Sequence, residues 1–133
     1  MAHLFTYGTL MDLDIFRAVT GLLATTWTPA RLDGYARFRV SGTAYPGILA
    51  CPGEQVSGRV FFSLPQPIWP ILDRYEGPLY AKILVAVTIL DNTPLTAWTY
   101  SIHPSNAAYL SHDPWSLERF QNKDKPDYLA ALS

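Results

Sequence analysis

In the stretch LDRYEGPLY, residues 72–80, a carboxylate stands between an aromatic residue and a glycine at the end of an apolar segment. Ile68, Ile71, Leu72 and Tyr75 recur at the spacing of one helical stripe, and the next position on that stripe is Glu76. An acid turned toward the interior loses solvation, so its pKa climbs toward neutrality, where a general acid or base works best. The same residues permit another arrangement, in which Glu76 lies at a fraying helix end and swings into solvent or pairs with Arg74 or Lys82.

A second candidate lies in FTYGTLM, near the start. Tyr7, Gly8, Thr9 and Leu10 form a strand end, a glycine turn and the approach to a helix, an arrangement that can aim several backbone N–H groups at one anionic atom. Such a loop suits a carboxylate or a developing oxyanion, and it also serves as an ordinary strand-to-helix turn. Other reactive types carry weaker signals. Cys51, in the β-patterned run GILACPG, reads as a small core residue. Ser111, His112 and Asp113 are neighbours in sequence, unlike the separated members of a working triad, and read as a surface loop. Trp27, Trp69, Trp98 and Trp115 have no interleaved basic residues and read as core and pocket walls.

The elements that must position these groups follow from pattern and punctuation. Residues 3–7 alternate and stop at Gly8, which predicts a first strand. Asp12 is placed to cap a helix over LDIFRAVT, with Gly21 to end it. From Leu22 to Leu64 β-formers dominate, and the breaks at Pro29, Asp33-Gly34, Pro46-Gly47 and Pro52-Gly53 predict four short strands in hairpins. Gly58, inside QVSGRVFF, marks a bulge or a close approach to the backbone. A short helix is expected to start between Pro67 and Pro70 and to end at Gly77. Ala81, Ile83, Val85, Val87 and Ile89 make one apolar strand face, DNTP a turn, and LTAWTYSI its partner strand; one or two short helices follow His103. The connections are too short for repeated βαβ crossovers, so the expected fold is α+β: a mainly antiparallel sheet curling into a small barrel with a few flanking short helices.

The totals fit one domain over residues 1–133, and a chain of this size buries enough surface for its own core. Ten basic against eleven acidic residues and a pI near 6.2 give no cationic stripe, which argues against nucleic acid. His3, His103 and His112 are far apart without metal-ligand spacing, so no metal site is expected. A lone cysteine, no basic leader and no run near ~20 apolar residues point to a soluble cytoplasmic protein without a membrane partner.

In order and spacing, FTYGTL, YPG at 45–47, VSGRVFF at 56–62, LDRYEGPLYAKILVAV at 72–87 and AWTY at 97–100 resemble the gamma-glutamylcyclotransferase family, in its AIG2-like branch. The resemblance covers about residues 3–115 and implies a small mixed β-barrel whose glycine turn, here Tyr7 to Leu10, walls a substrate cavity. It implies Glu76, in LDRYEG, as the catalytic residue and Tyr80 as a further substrate-binding residue. Lys82 stands where the family often has arginine, and HDPW replaces a Gly-Asp-Trp-like element, which bears on substrate identity more than on chemistry. The implied reaction is a cofactor-independent, amidine-lyase-type cyclisation of a γ-glutamyl amine or γ-glutamyl amino acid to 5-oxoproline. The partner is then a small γ-glutamyl molecule, and the protein a monomer or homodimer. The loops expected to read the leaving group are 28–34, 40–46 and the tail after His103. A noncatalytic small-molecule-binding module that keeps the cavity is the rival reading, since fold and function separate readily.

Overall fold

In the computed structural model, which describes residues 2–132, five strands close into a barrel in the order β1-β3-β2-β4-β5. Met1 and Ser133, the ends of the expected 1–133 domain, lie outside the described residues. Strand β1 (Ala2–Thr6) runs antiparallel to β3 (Pro46–Leu64), with Phe5 opposite Val60, and meets β5 (Thr93–Ile102) in parallel at Leu4 and Trp98. β4 (Tyr80–Ile89) pairs with β5 along its whole length and touches β2 (Trp27–Arg39) at Arg31 and Thr88. The fold is the expected α+β barrel, mainly antiparallel.

The run from 22 to 64 departs from the four predicted short strands. It forms one long hairpin, β2 with β3, turning between residues 40 and 45. Gly34 and Gly53 adopt positive φ (+83° and +88°), and the register shifts between Asp33 and Tyr35 because β3 carries extra residues there. The turn-forming pairs thus bend a continuous ribbon through a bulge instead of ending it. Cys51 sits at this bulge, half-buried rather than in the core. Gly58 marks a close approach: a Cβ there would lie 2.1 Å from the Thr6 carbonyl oxygen.

Two apolar clusters result. One fills the barrel with residues from every strand, among them Phe5, Leu32, Ile48, Val60, Val87 and Ala97. The other lies between the barrel wall and the helices α1 (Leu13–Thr20) and α2 (Ile68–Glu76), where the Phe16 and Phe61 rings stack at 4.0 Å. On β4 the expected phase holds: Val85 and Val87 are buried while Leu84 is exposed. Asp12 caps α1 through Asp14 and Ile15, and Gly21 at φ +75° ends it. The tail runs through a short α3 (Leu117–Arg119) and a π-turn (Phe120–Asp124) into α4 (Lys125–Ala131), and buries Trp115 and Phe120 against the helical cluster. Among the described residues, no helix is long and apolar enough to cross a membrane.

Candidate active site

The α2 stripe that buries Ile68 and Leu72 carries Glu76 to the helix end, where Gly77 takes a positive φ of 78° that breaks the helix. Glu76 therefore points to a cavity of about 120 Å³ where the two apolar clusters meet. Leu4, Leu10 and Tyr100 line it from the helical side, and Phe5 and Tyr7 from the barrel interior. Tyr7, Gly8, Thr9, Leu10, Glu76 and Tyr80, which come from two separate stretches of sequence, all border this one space.

Glu76 is the one acidic or basic side chain on the described lining. It pairs with neither Arg74 nor Lys82; Lys82 lies 3.5 Å from Asp73 instead. No side-chain hydrogen bond from the described residues reaches the Glu76 carboxyl. Burial alone raises its pKa to about 8, from an ordinary 4.5. The residue as a whole is half-buried and borders the cavity. At neutral pH its carboxyl is mainly protonated.

The opposing wall is the turn after β1. Gly8 packs so closely on Pro46 that a Cβ would lie 2.9 Å from the proline ring. Thr9–Met11 form a single 3₁₀ turn in which Met11 and Asp12 donate back to the Gly8 and Thr9 carbonyls at 3.0 and 3.1 Å. The N–H groups of Gly8, Thr9 and Leu10 find no acceptor among the described residues, as expected at the start of a helical turn. The outward carbonyls are held by arginines: Arg37 donates to the Tyr7 oxygen at 2.8 Å and Arg59 to the Met11 oxygen at 2.5 Å.

Six tyrosines complete the lining. Tyr7 donates its hydroxyl to the Tyr100 carbonyl, and Tyr80 to the Pro46 carbonyl at 2.7 Å, leaving each oxygen able only to accept further bonds. The Thr9, Tyr75 and Tyr128 hydroxyls form a chain with spacings of 2.7 and 2.5 Å. Tyr100 donates to Asp73 at 2.6 Å. Desolvation, then the nearby Glu76, push Tyr80 above its ordinary range; burial likewise raises Tyr7, Tyr75, Tyr100 and Tyr128, so all stay neutral.

Sequence reasoning did not single out Tyr45, Tyr75, Tyr100 or Tyr128 as lining. Tyr75 was on the α2 stripe and Tyr45 in YPG, but nothing local announces Tyr128, which α4 brings from the far end of the chain. Of the three expected leaving-group loops, 40–46 gives Tyr45 and Pro46 and the tail gives Tyr128; 28–34 lies within β2 and gives no lining residue. The tryptophans meet the expectation of core residues in part and that of pocket walls not at all. Trp69 and Trp115 are buried in the helical cluster, Trp27 lies under the Arg59 guanidinium at 4.1 Å, and none of the four lines the cavity.

A closed five-stranded barrel with one acid and one glycine turn facing a single tyrosine-walled cavity defines a class of small α+β barrel proteins built around a site for a small guest. Residues 4–117 match the family described as gamma-glutamyl cyclotransferase, AIG2-like. AIG2-like protein D of Arabidopsis thaliana is 31% identical over 93 residues, which is 70% of this chain and 60% of that protein. AIG2-like protein B of the same plant is 30% identical over 132 residues, 98% of this chain and 76% of that one. Among solved structures, a solution structure of an Arabidopsis thaliana protein aligns with TM-score 0.71 at 25% identity, covering 98% of this chain and 87% of the other. A structure named gamma-glutamyl cyclotransferase shares the fold with TM-score 0.70 at 19% identity, covering 98% and 85%. The chain belongs to the gamma-glutamyl cyclotransferase, AIG2-like family.

Proposed function

We propose that the protein cyclises a γ-glutamyl compound to 5-oxoproline, releasing an amine or amino acid, with Glu76 as the proton-transfer group. The observation that carries this reading is a carboxyl with no side-chain partner among the described residues, sharing one cavity with Gly8, Thr9 and Leu10, whose N–H groups have no acceptor among those residues.

The nucleophile is part of the substrate, so the protein's task is geometry, charge and protons. The loop N–H groups hold the substrate's α-carboxylate, which brings the α-ammonium toward Glu76. An arriving cation favours the charged acid, so the neutral carboxyl gives its proton to solvent and becomes a carboxylate. Glu76 takes a proton from the ammonium, and the freed amine nitrogen bonds to the γ-carbonyl carbon, leaving an oxyanion. As the oxyanion re-forms the carbonyl and the bond from that carbon to the leaving nitrogen breaks, Glu76 returns the proton to that nitrogen. The second proton of the attacking nitrogen passes to the released amine, which departs as an ammonium and leaves the neutral lactam. An acid near pKa 8 is close to the basicity of an amino group, so neither transfer runs far uphill. Tyr80 contributes an apolar wall and an accepting oxygen, its proton being committed to Pro46.

The test is incubation with γ-glutamyl amines and γ-glutamyl amino acids, followed by detection of 5-oxoproline. Turnover is expected with at least one substrate, and Glu76→Gln should lose about 10²- to 10⁴-fold in rate while still binding 5-oxoproline. Binding of 5-oxoproline without turnover of any γ-glutamyl compound would instead establish a noncatalytic binding module.

A further inference from the structure

The described lining of the cavity carries no cation, although the proposed substrate brings an anion to it. A source of positive charge lies behind the wall, on the Tyr7 peptide. Arg37, half-buried on β2, donates one nitrogen to the Tyr7 carbonyl at 2.8 Å and to the Ser57 carbonyl at 3.1 Å, and its guanidinium carbon lies 5.5 Å from the Trp115 ring centroid. It makes no ion pair with an acid among the described residues. The Tyr7 carbonyl and the Gly8 N–H belong to the same peptide unit, and that N–H has no acceptor among the described residues. A guanidinium on the oxygen of a peptide withdraws electron density from its nitrogen, making the N–H a stronger donor.

We propose that Arg37 is a positioning residue that charges the anion-binding turn from behind, raising the affinity of the Gly8 N–H for the substrate's carboxylate while staying out of the cavity. This rests on the reading given under Proposed function. Placing the cation behind the backbone has a chemical advantage over placing it in the cavity. An arginine beside Glu76 would pair with it and hold its proton affinity down. Behind the Tyr7 peptide, Arg37 acts on the carboxylate site while burial alone sets the Glu76 pKa. Trp115 from the tail and Ser57 from β3 hold the guanidinium where it also reaches the Tyr7 carbonyl.

The experiment compares the parent with Arg37→Gln and Arg37→Lys, using two probes that differ only in the anion: 5-oxoproline, and 2-pyrrolidone, which is the same ring without the carboxylate. Calorimetry or ligand-observed NMR gives both dissociation constants, and turnover of a γ-glutamyl substrate gives KM and kcat. Arg37→Gln is expected to weaken 5-oxoproline about tenfold and to raise KM similarly, with 2-pyrrolidone affinity unchanged. The pH dependence attributed to Glu76 should stay in place. Arg37→Lys keeps the charge with a single donor group and should recover part of the loss; it gives the same comparison if Arg37→Gln does not fold. Equal weakening of both probes would reduce Arg37 to a structural support and overturn the proposal. So would unchanged 5-oxoproline affinity in an active protein, which would leave the cyclisation reading intact. A parent protein that neither binds 5-oxoproline nor turns over γ-glutamyl compounds overturns that reading, and this proposal with it.

Discussion

Replacing Glu76 with glutamine should make the protein more stable in alkaline solution. In the unfolded chain Glu76 releases its proton near 4.5; in the folded protein it keeps it to about 8. Between those values the unfolded state binds fewer protons, so rising pH favours unfolding by about 1.4 kcal/mol per pH unit. Across the full span this reaches about 5 kcal/mol, an upper figure for a half-buried residue. Below 4.5 both states are protonated and the penalty is absent; above about 8 it is constant. A glutamine of the same shape carries none of it. The assay is urea unfolding of parent and Glu76→Gln, followed by tryptophan fluorescence, from about pH 5 to about pH 9. The two should be close at the acid end, and the variant should lead by several kcal/mol at the alkaline end. Other titrating groups are common to both proteins and cancel in the difference. A difference that does not change with pH would show that Glu76 is solvated, and the case for it as a proton carrier would fail.

The kcat/KM of the parent should rise with pH through an inflection near 8, because the carboxylate is the form that accepts the ammonium proton; rate measurements across buffers would check this. Gly8→Ala drives a Cβ into the Pro46 ring, so it should cost about 1–3 kcal/mol in thermal unfolding and weaken 5-oxoproline binding. Asp12→Ala should cost about 1–2 kcal/mol, since it removes the α1 cap and the bonds to Gln121 and to Lys125, which keeps its pair with Asp14. Burial pushes the Asp12 pKa up, but bonds from Gln121, Lys125 and Ile15 outweigh it and hold it below 3.8. Its contribution should therefore persist above that value and fade in acid as pH falls through the folded pKa, which acid titration of parent and variant would show. Gly58→Ala pits a methyl group against the Thr6 carbonyl and should destabilise by about 3 kcal/mol or more, read from urea midpoints.

The helices were legible because their signals are local. Asp12 and Gly21 bracket α1, and the prolines and Gly77 bracket α2, so the phase of Glu76 followed. Whether that phase ended in solvent or in a cavity depended on β1 and its turn, some seventy positions away in sequence, which periodicity cannot bring into view; order and spacing of motifs supplied that link. The β2–β3 ribbon was misread because proline and glycine mark a bulge with the same letters as a hairpin, and only strand pairing separates them. Tyr128 was missed because its partner Tyr75 lies 53 residues away and α4 has no feature that ties it to a site. The tryptophans were read as core and pocket walls together; Trp69 and Trp115 do fill the core between the helices and the barrel, but which large apolar residues also face a cavity is decided by packing that sequence spacing does not show.

Strand β1 has consequences for how the molecule comes together. Its neighbours are β3 and β5, so the first strand made must wait for pairing partners as distant in sequence as Phe61 and Trp98. Contacts of such separation are slow to assemble. The glycine turn hangs from the end of this strand, and its opposite wall arrives with α2 and the tail. Recovery of ligand binding after dilution from denaturant should therefore keep pace with the last structural phase, and a half-assembled barrel should have no working pocket.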